Sequence, residues 1–290
     1  MRHPKARLLL LSCLVLLLPA LSRAADDALP ASDAISAREI YQRVIDNKLD
    51  TSYMEHRIVS TDPGGSIQNL YFWSRFMDLR TPDAAPVGAV ISKTVMKFTA
   101  PYDKQDTAYL FIERKGAEDE GFHYSRKRTR VTRISPAKES IFGSDFSLDD
   151  LAVVRHIDDA TYERLPDEDL QGQTVWVIRV NHKPESDPTY TRSQLYVDRE
   201  RNVPLRTRHW DDAGVEVKQL DIPRERLELY AGVWIPMECT MFDLSEKTRS
   251  ELYVERVEAN PEISDTLFSP QRLPDLQKGA SSPSANQQGG

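Results

Sequence analysis

Short runs of strand character separated by turn residues recur along most of this chain, and no other feature restricts its possible folds so much. Ser52–Ser60, Ile67–Leu79, Val90–Thr99, Thr107–Glu113, Tyr162–Leu165, Thr174–Asn181, Thr189–Asp198, Leu205–Trp210, Lys218–Leu229, Trp234–Phe242 and Ser250–Val257 all read as strands. Asp62-Pro63-Gly64-Gly65, Asp211-Asp212-Ala213-Gly214 and Ala231-Gly232 supply turns between them. Successive strands joined by short turns imply an antiparallel meander, and a sheet of about eleven strands twists and curls instead of staying flat. Ahead of the strands, Ser36 and Glu39 form a capping box. Ile40, Val44, Ile45 and Leu49 then share one side of an amphipathic helix running to about Asn47. The expected fold is mainly β with some α: a strongly curved antiparallel sheet under a partial helical cover.

The segment Gly121–Leu151 is the most distinctive. Phe122, Tyr124, Arg126, Arg128 and Arg130 alternate with His123, Ser125, Lys127, Thr129 and Val131, which predicts one strand with a wet face, ended by Pro136. Gly143 then permits a positive φ, Ser144 or Asp145 can cap a turn, and Phe142, Phe146, Leu148 and Leu151 are apolar anchors. A strand, a loop and a short helical turn follow from this pattern.

Arg130-Val131-x-Arg133-Ile134-Ser135, a polar link and Phe142-Gly143-Ser144-Asp145-Phe146-Ser147-x-Asp149-Asp150-Leu151 resemble the outer-membrane lipoprotein-sorting proteins, relatives of the periplasmic carrier LolA. The likeness continues in order through Asp106–Leu110, Gly172–Ile178, Leu195–Asp198, Val203–Arg206, Gly232–Pro236 and Asp265–Ser269, covering Ile35 to Leu273. One departure is the basic Ser125-Arg126, where that family usually carries Leu-Pro. The resemblance implies an incomplete, unclosed β-barrel with a lid over an apolar cavity. It also implies a periplasmic carrier of acylated lipoprotein or another lipid, with an RND- or MMPL-type inner-membrane exporter as donor and an outer-membrane acceptor. A related regulatory module that senses lipid or envelope stress is the alternative, and an envelope enzyme is a second.

Arg2, Lys5 and Arg7 precede the apolar run Leu8–Ala20, and Ser22-Arg23-Ala24 offers small residues for cleavage after Ala24, so residues 1–24 read as a signal peptide. The run is too short to span a bilayer. Residues 25–276 then form one domain, and 277–290 a low-complexity tail expected to be disordered. Cleavage leaves 34 basic against 45 acidic residues, a formal −11, which repels phosphate and argues against nucleic-acid binding. It also leaves Cys239 as the lone cysteine, which excludes an internal disulfide and a cysteine zinc cluster; it reads as a buried strand residue.

No nucleophile elbow, zinc-protease helix, phosphate loop or dinucleotide fingerprint is present, so no catalytic, metal or cofactor site is expected. Histidines 56, 123, 156, 182 and 209 lie in separate elements, and Asp145, Asp149 and Asp150 read as turn caps facing solvent. Lid or cavity-lining candidates are Ile40, Val44, Phe72, Phe142, Phe146, Leu148, Leu151, Trp176 and Trp234. Aromatic groups of this kind equally build a solid β-rich core. The basic run Arg126, Arg128, Arg130 and Arg133, with Lys127 and Lys138, either contacts an anionic headgroup or acidic partner, or protects a sheet edge.

Overall fold

The computed structural model describes residues 35–62, 64–80, 85–135, 140–147, 150, 156–184 and 188–279. Leu148, Leu151, Asp149, Pro136, Lys138 and residues 1–34 and 280–290 lie outside the described residues. Helix α1 is Ala37–Asp46. The strands are β1 Thr51–Thr61, β2 Ile67–Asp78, β3 Val90–Ala100, β4 Ala108–Arg114, β5 Glu120–Ser125, β6 Arg130–Ile134, β7 Ala160–Leu170 and β8 Gln173–His182. They continue with β9 Arg192–Asp198, β10 Pro204–Trp210, β11 Glu216–Asp221, β12 Leu227–Tyr230, β13 Val233–Pro236, β14 Glu238–Asp243 and β15 Thr248–Ala259.

Thirteen of these strands form one antiparallel sheet, ordered β6-β5-β4-β3-β2-β1-β15-β14-β11-β10-β9-β8-β7, and β12 with β13 make a separate hairpin. Three runs expected to be continuous break in two. The basic segment is a hairpin: Arg128 and Thr129 N–H donate to the Ser125 carbonyl at 3.0 and 2.9 Å, Thr129 adopts φ 50°, and Ser125 pairs with Arg130. Four consecutive polar residues have no apolar partner to hold them in a ladder, whereas folding back pairs Gly121 with Ile134. Lys218–Leu229 is interrupted around Pro223, and Trp234–Phe242 changes partner at Pro236, because proline cannot donate to a ladder.

Residues paired directly across antiparallel strands point to the same face, so the register traces one face around the sheet. One row runs Ser250-Met241-Leu220-Thr207-Leu195-Ile178, and another Thr132-His123-Tyr109-Met96-Ser74-Met54. Ile58, Leu70, Leu252 and Cys239 belong to the same face. Helix α1 buries Ala37, Ile40, Tyr41 and Ile45 against Ala160, Ile178, Val180 and Leu195 of that face. Ser36 caps the helix by accepting from Glu39 N–H at 3.1 Å, while Glu39 pairs forward with Arg43. The helix also shows how far the sheet rolls. Arg38 reaches Asp158 beside β7 at 2.7 Å, and the Ile45 carbonyl accepts from Arg80 beyond β2 at 2.9 Å. Eight strand spacings separate β2 from β7, about 38 Å in a flat sheet, yet Arg38 to Ile45 spans only about 10 Å of helix. The sheet therefore curls around α1, and this is its inner face. Strands β6 and β7 stay unpaired with one another, so the barrel is not closed.

The outer face of β1–β5 is packed too. Tyr53, Trp73, Val95, Ala108 and Leu110 are covered by Ile263, Leu267, Phe268, Leu273 and Leu276 from the segment that follows β15. Arg75, buried among them, donates from Nε to the Gly279 carbonyl at 2.9 Å and from Nη2 to that of Gln277 at 2.6 Å. This strap closes the outer side of β1–β5.

Candidate functional site

Two covers lie on the inner face. Helix α1 occupies the β7–β9 end. The loop between β6 and β7 crosses the middle: Ile141 and Phe146 are buried, and the Phe142 ring meets Phe98 edge-on at 4.8 Å and Tyr109 at 6.3 Å. The loop is secured by polar contacts. Asp145 accepts from Ser250 Oγ at 2.6 Å and Thr248 Oγ1 at 2.5 Å, its N–H donates to Ser250 Oγ at 2.9 Å, and Lys218 Nζ donates to its carbonyl at 2.5 Å. Ser147 and Asp150 exchange backbone-to-side-chain bonds at 2.7 and 3.1 Å, a reciprocal cap. Tyr190 Oη donates to Asp150 at 3.0 Å, and Lys218 sits 3.6 Å from the same carboxylate. Asp150 therefore caps a turn as expected, but its side chain is only 4% exposed, and Asp145 is a brace onto β15 instead of a solvent-facing cap. A carboxylate accepting two hydroxyls, with a lysine on the neighbouring carbonyl, fixes the loop to the sheet.

The candidate lining residues divide by burial. Ile40, Phe72 and Phe146 are packed at 0, 3 and 1% exposure. Val44, Phe142, Trp176 and Trp234 keep part of their surface open. Phe72, Phe142, Phe146 and Trp234 share one apolar cluster, while Ile40, Val44 and Trp176 share another with β7–β9. Trp234 is tied to the helix end by two bonds with Asn47, at 2.9 and 3.0 Å, and Arg201 lies 4.3 Å over its ring. Sequence reasoning passed over Met54, Phe111, Leu252 and Val254, which lie on the inner face and are incompletely covered. Their alternation places them on one side of a strand; only the direction of the curl makes that side inner.

Polar groups on this face are braced in pairs. Ser193, nearly buried, bridges His182 at 3.1 Å and His209 at 2.9 Å, so two histidines distant in sequence meet, and Tyr190 stacks on His209 at 4.2 Å. Among the described residues, no group of three His, Cys, Asp or Glu has metal-site geometry. Cys239 is buried and its thiol pushed up to about 12 by desolvation, the behaviour of an inert core residue. The Arg126–Arg133 residues lie apart from this face's core: Arg126 and Arg128 on the hairpin turn, Arg130 and Arg133 exposed on the edge strand β6.

His56 stacks on Phe72 at 4.6 Å and shares a hydrogen bond with Ser74 Oγ at 2.9 Å, while Nδ1 is enclosed without a partner. Burial pushes its pKa from 6.5 down to about 4, against the opposing charge of Glu55. A histidine depressed in the folded state contributes stability that is present above pH 6.5 and is lost as pH falls through about 4. At about 1.4 kcal/mol per unit the loss is up to roughly 3 kcal/mol. Urea midpoints of wild type and His56→Gln are expected to converge across that window; parallel profiles would refute the assignment.

The curled, unclosed sheet with its cover on the inner face is the LolA-like architecture. Among solved structures, a domain of an outer membrane lipoprotein-sorting protein from Vibrio parahaemolyticus matches with TM-score 0.72 and 20% identity, over 82% of this chain and 98% of that one. A DUF1329 family protein from Desulfovibrio piger matches with TM-score 0.73 and 20% identity, over 83% and 100%. A LolA superfamily protein from Nitrosomonas europaea matches with TM-score 0.64 and 14% identity, over 81% and 98%. A family model described as "Uncharacterized protein" matches residues 91–275, and the chain belongs to that family. No curated protein matches it.

Proposed function

We propose that the protein is a periplasmic carrier that shields an acyl chain or similar hydrophobic cargo against the inner face of its sheet. The observation carrying this reading is the described stretch 140–147 of the loop between β6 and β7, the clamp loop. It covers apolar residues of the inner face, yet polar side-chain contacts and one isolated bridge, Ser140 to Ser147, hold it in place of a strand ladder. Such a cover is removable without dismantling the sheet. An acyl chain leaving a bilayer faces about 0.8 kcal/mol per CH₂, and the aromatic and aliphatic groups beneath the loop replace that environment. Release requires moderate affinity, which a reversible cover provides. Uptake from an RND- or MMPL-type exporter and transfer to an outer-membrane acceptor belong to the same proposal.

Native mass spectrometry of protein extracted gently from the periplasm is expected to show lipid or acylated protein at a fixed ratio. Protein that is always empty and takes up no fluorescent acyl probe would overturn the carrier reading. Capture of a membrane-anchored signalling partner by that empty protein would put a sensing module in its place.

A further inference from the structure

The antiparallel order puts the β1–β2, β3–β4 and β5–β6 turns at one end of the sheet, together with the starts of β11 and β15, where the clamp loop is anchored. This rim is unusual in two respects. Tyr102 in the β3–β4 turn is 82% exposed and Ile67, at the start of β2, 68% exposed, with Tyr71 at 37% on the same strand. Beside them, the β5–β6 turn presents Arg126, Lys127 and Arg128, and Arg130 follows at the start of β6, all exposed. On this half of the rim three acids, Asp62, Asp103 and Asp106, stand against five cations, Lys104, Arg126, Lys127, Arg128 and Arg130. Asp103 pairs with Lys104 at 3.2 Å and Asp106 lies 3.5 Å from Arg126, which leaves Lys127, Arg128 and Arg130 as the surplus. In a chain of formal charge −7, a local excess of cations next to protruding apolar tips is a distinct surface.

We propose that the β1–β6 half of this rim is a membrane-docking surface for anionic bilayers. The hairpin cations meet lipid phosphates while Tyr102 and Ile67 enter the headgroup layer. A bilayer fits better than a protein partner because the apolar groups stand singly, Tyr102 on the β3–β4 turn and Ile67 at the start of β2, next to a polybasic turn. Stable attachment to a membrane takes two signals, and this rim has a polybasic turn and apolar anchors side by side. Tyrosine suits the interface, with a ring that partitions and a hydroxyl that stays wet. Docking would also bring the clamp loop against the bilayer, so a chain could pass inward with little exposure to water. That last benefit rests on the carrier reading; the docking itself does not.

Protein purified from the periplasm is mixed with vesicles of phosphatidylglycerol and phosphatidylethanolamine, or of phosphatidylcholine alone, and bound protein is measured by flotation. Wild type is expected to favour the anionic vesicles, with binding weakened by salt. Each basic residue near an anionic surface contributes about fivefold, so Arg126→Gln, Lys127→Gln and Arg128→Gln together should lower partitioning on the order of 100-fold. Tyr102→Ser should lower it several-fold, with thermal melting unchanged because these side chains are exposed. No preference of wild type for anionic vesicles, or a triple variant that binds as well as wild type, would overturn the proposal. Wild type that ignores vesicles but cross-links to an envelope protein through the hairpin would replace the bilayer with a protein. Uptake of an acyl probe, measured without vesicles, keeps failure of docking separate from failure of the carrier reading.

Discussion

Asp145→Ala is expected to free the clamp loop while leaving the sheet folded. The carboxylate accepts from Ser250 and Thr248, and Ser250 is fully buried, so its hydroxyl loses its acceptor in the variant. Hydrogen bonds to a charged group contribute about 1.5–3 kcal/mol each, and a stranded buried donor adds to the loss. A combined effect of about 3 kcal/mol makes opening roughly 100-fold more frequent, since about 1.4 kcal/mol is one factor of ten. Amide exchange reports this directly. The N–H groups of Ile141 and Ser144, bonded to the Phe146 and Ile141 carbonyls at 2.8 and 3.0 Å, should exchange about that much faster. Amides in the β1–β2 ladder should hold their rates, because local opening leaves the central strands intact. Unchanged exchange at Ile141 and Ser144 would show that the apolar contacts alone hold the loop down. If the loop guards the inner face, an acyl probe should also enter and leave this variant faster.

Most strands were legible in the sequence because period-two alternation survives wherever one face is buried and the other wet. The run read as Val90–Thr99 is Val90–Ala100, and Ser250–Val257 extends to Thr248–Ala259. Failures came where the turn chemistry was atypical. Arg126-Lys127-Arg128-Thr129 holds no glycine, proline or asparagine, yet Thr129 takes the left-handed conformation that turns usually assign to those residues. Pro223 and Pro236 were visible, but apolar residues on either side continue the pattern through them. The site was less legible for another reason. Its brace joins Asp145, Asp150, Tyr190, Lys218, Thr248 and Ser250, which converge only after the sheet has curled. Likewise Phe72 and Phe142 look alike in a sequence; one is sealed in the core and the other keeps an open flank.

Phe146→Asp separates the loop's role from the sheet's stability. Phe146 is 1% exposed, in a cluster with Phe72, Met96, Phe98, Ile141 and Met241. An unpaired carboxylate there would face a burial penalty of several kcal/mol. The alternative is for the loop to leave the inner face. With the phenyl ring gone, leaving forfeits mainly the burial of Ile141, about 2 kcal/mol, and the Asp145 brace, about 3 kcal/mol. The two routes are close in cost, and solvation of the new charge favours departure. The expected result is a folded sheet with a displaced loop: circular dichroism of strand structure retained, exchange protection lost over 141–146, and acyl-probe loading much weaker. Phe146→Leu, which restores an apolar side chain, should recover most of the loading. Loading equal to wild type in a folded Phe146→Asp protein with its loop displaced would mean that the cargo lies elsewhere, and the loop would then be a structural plug.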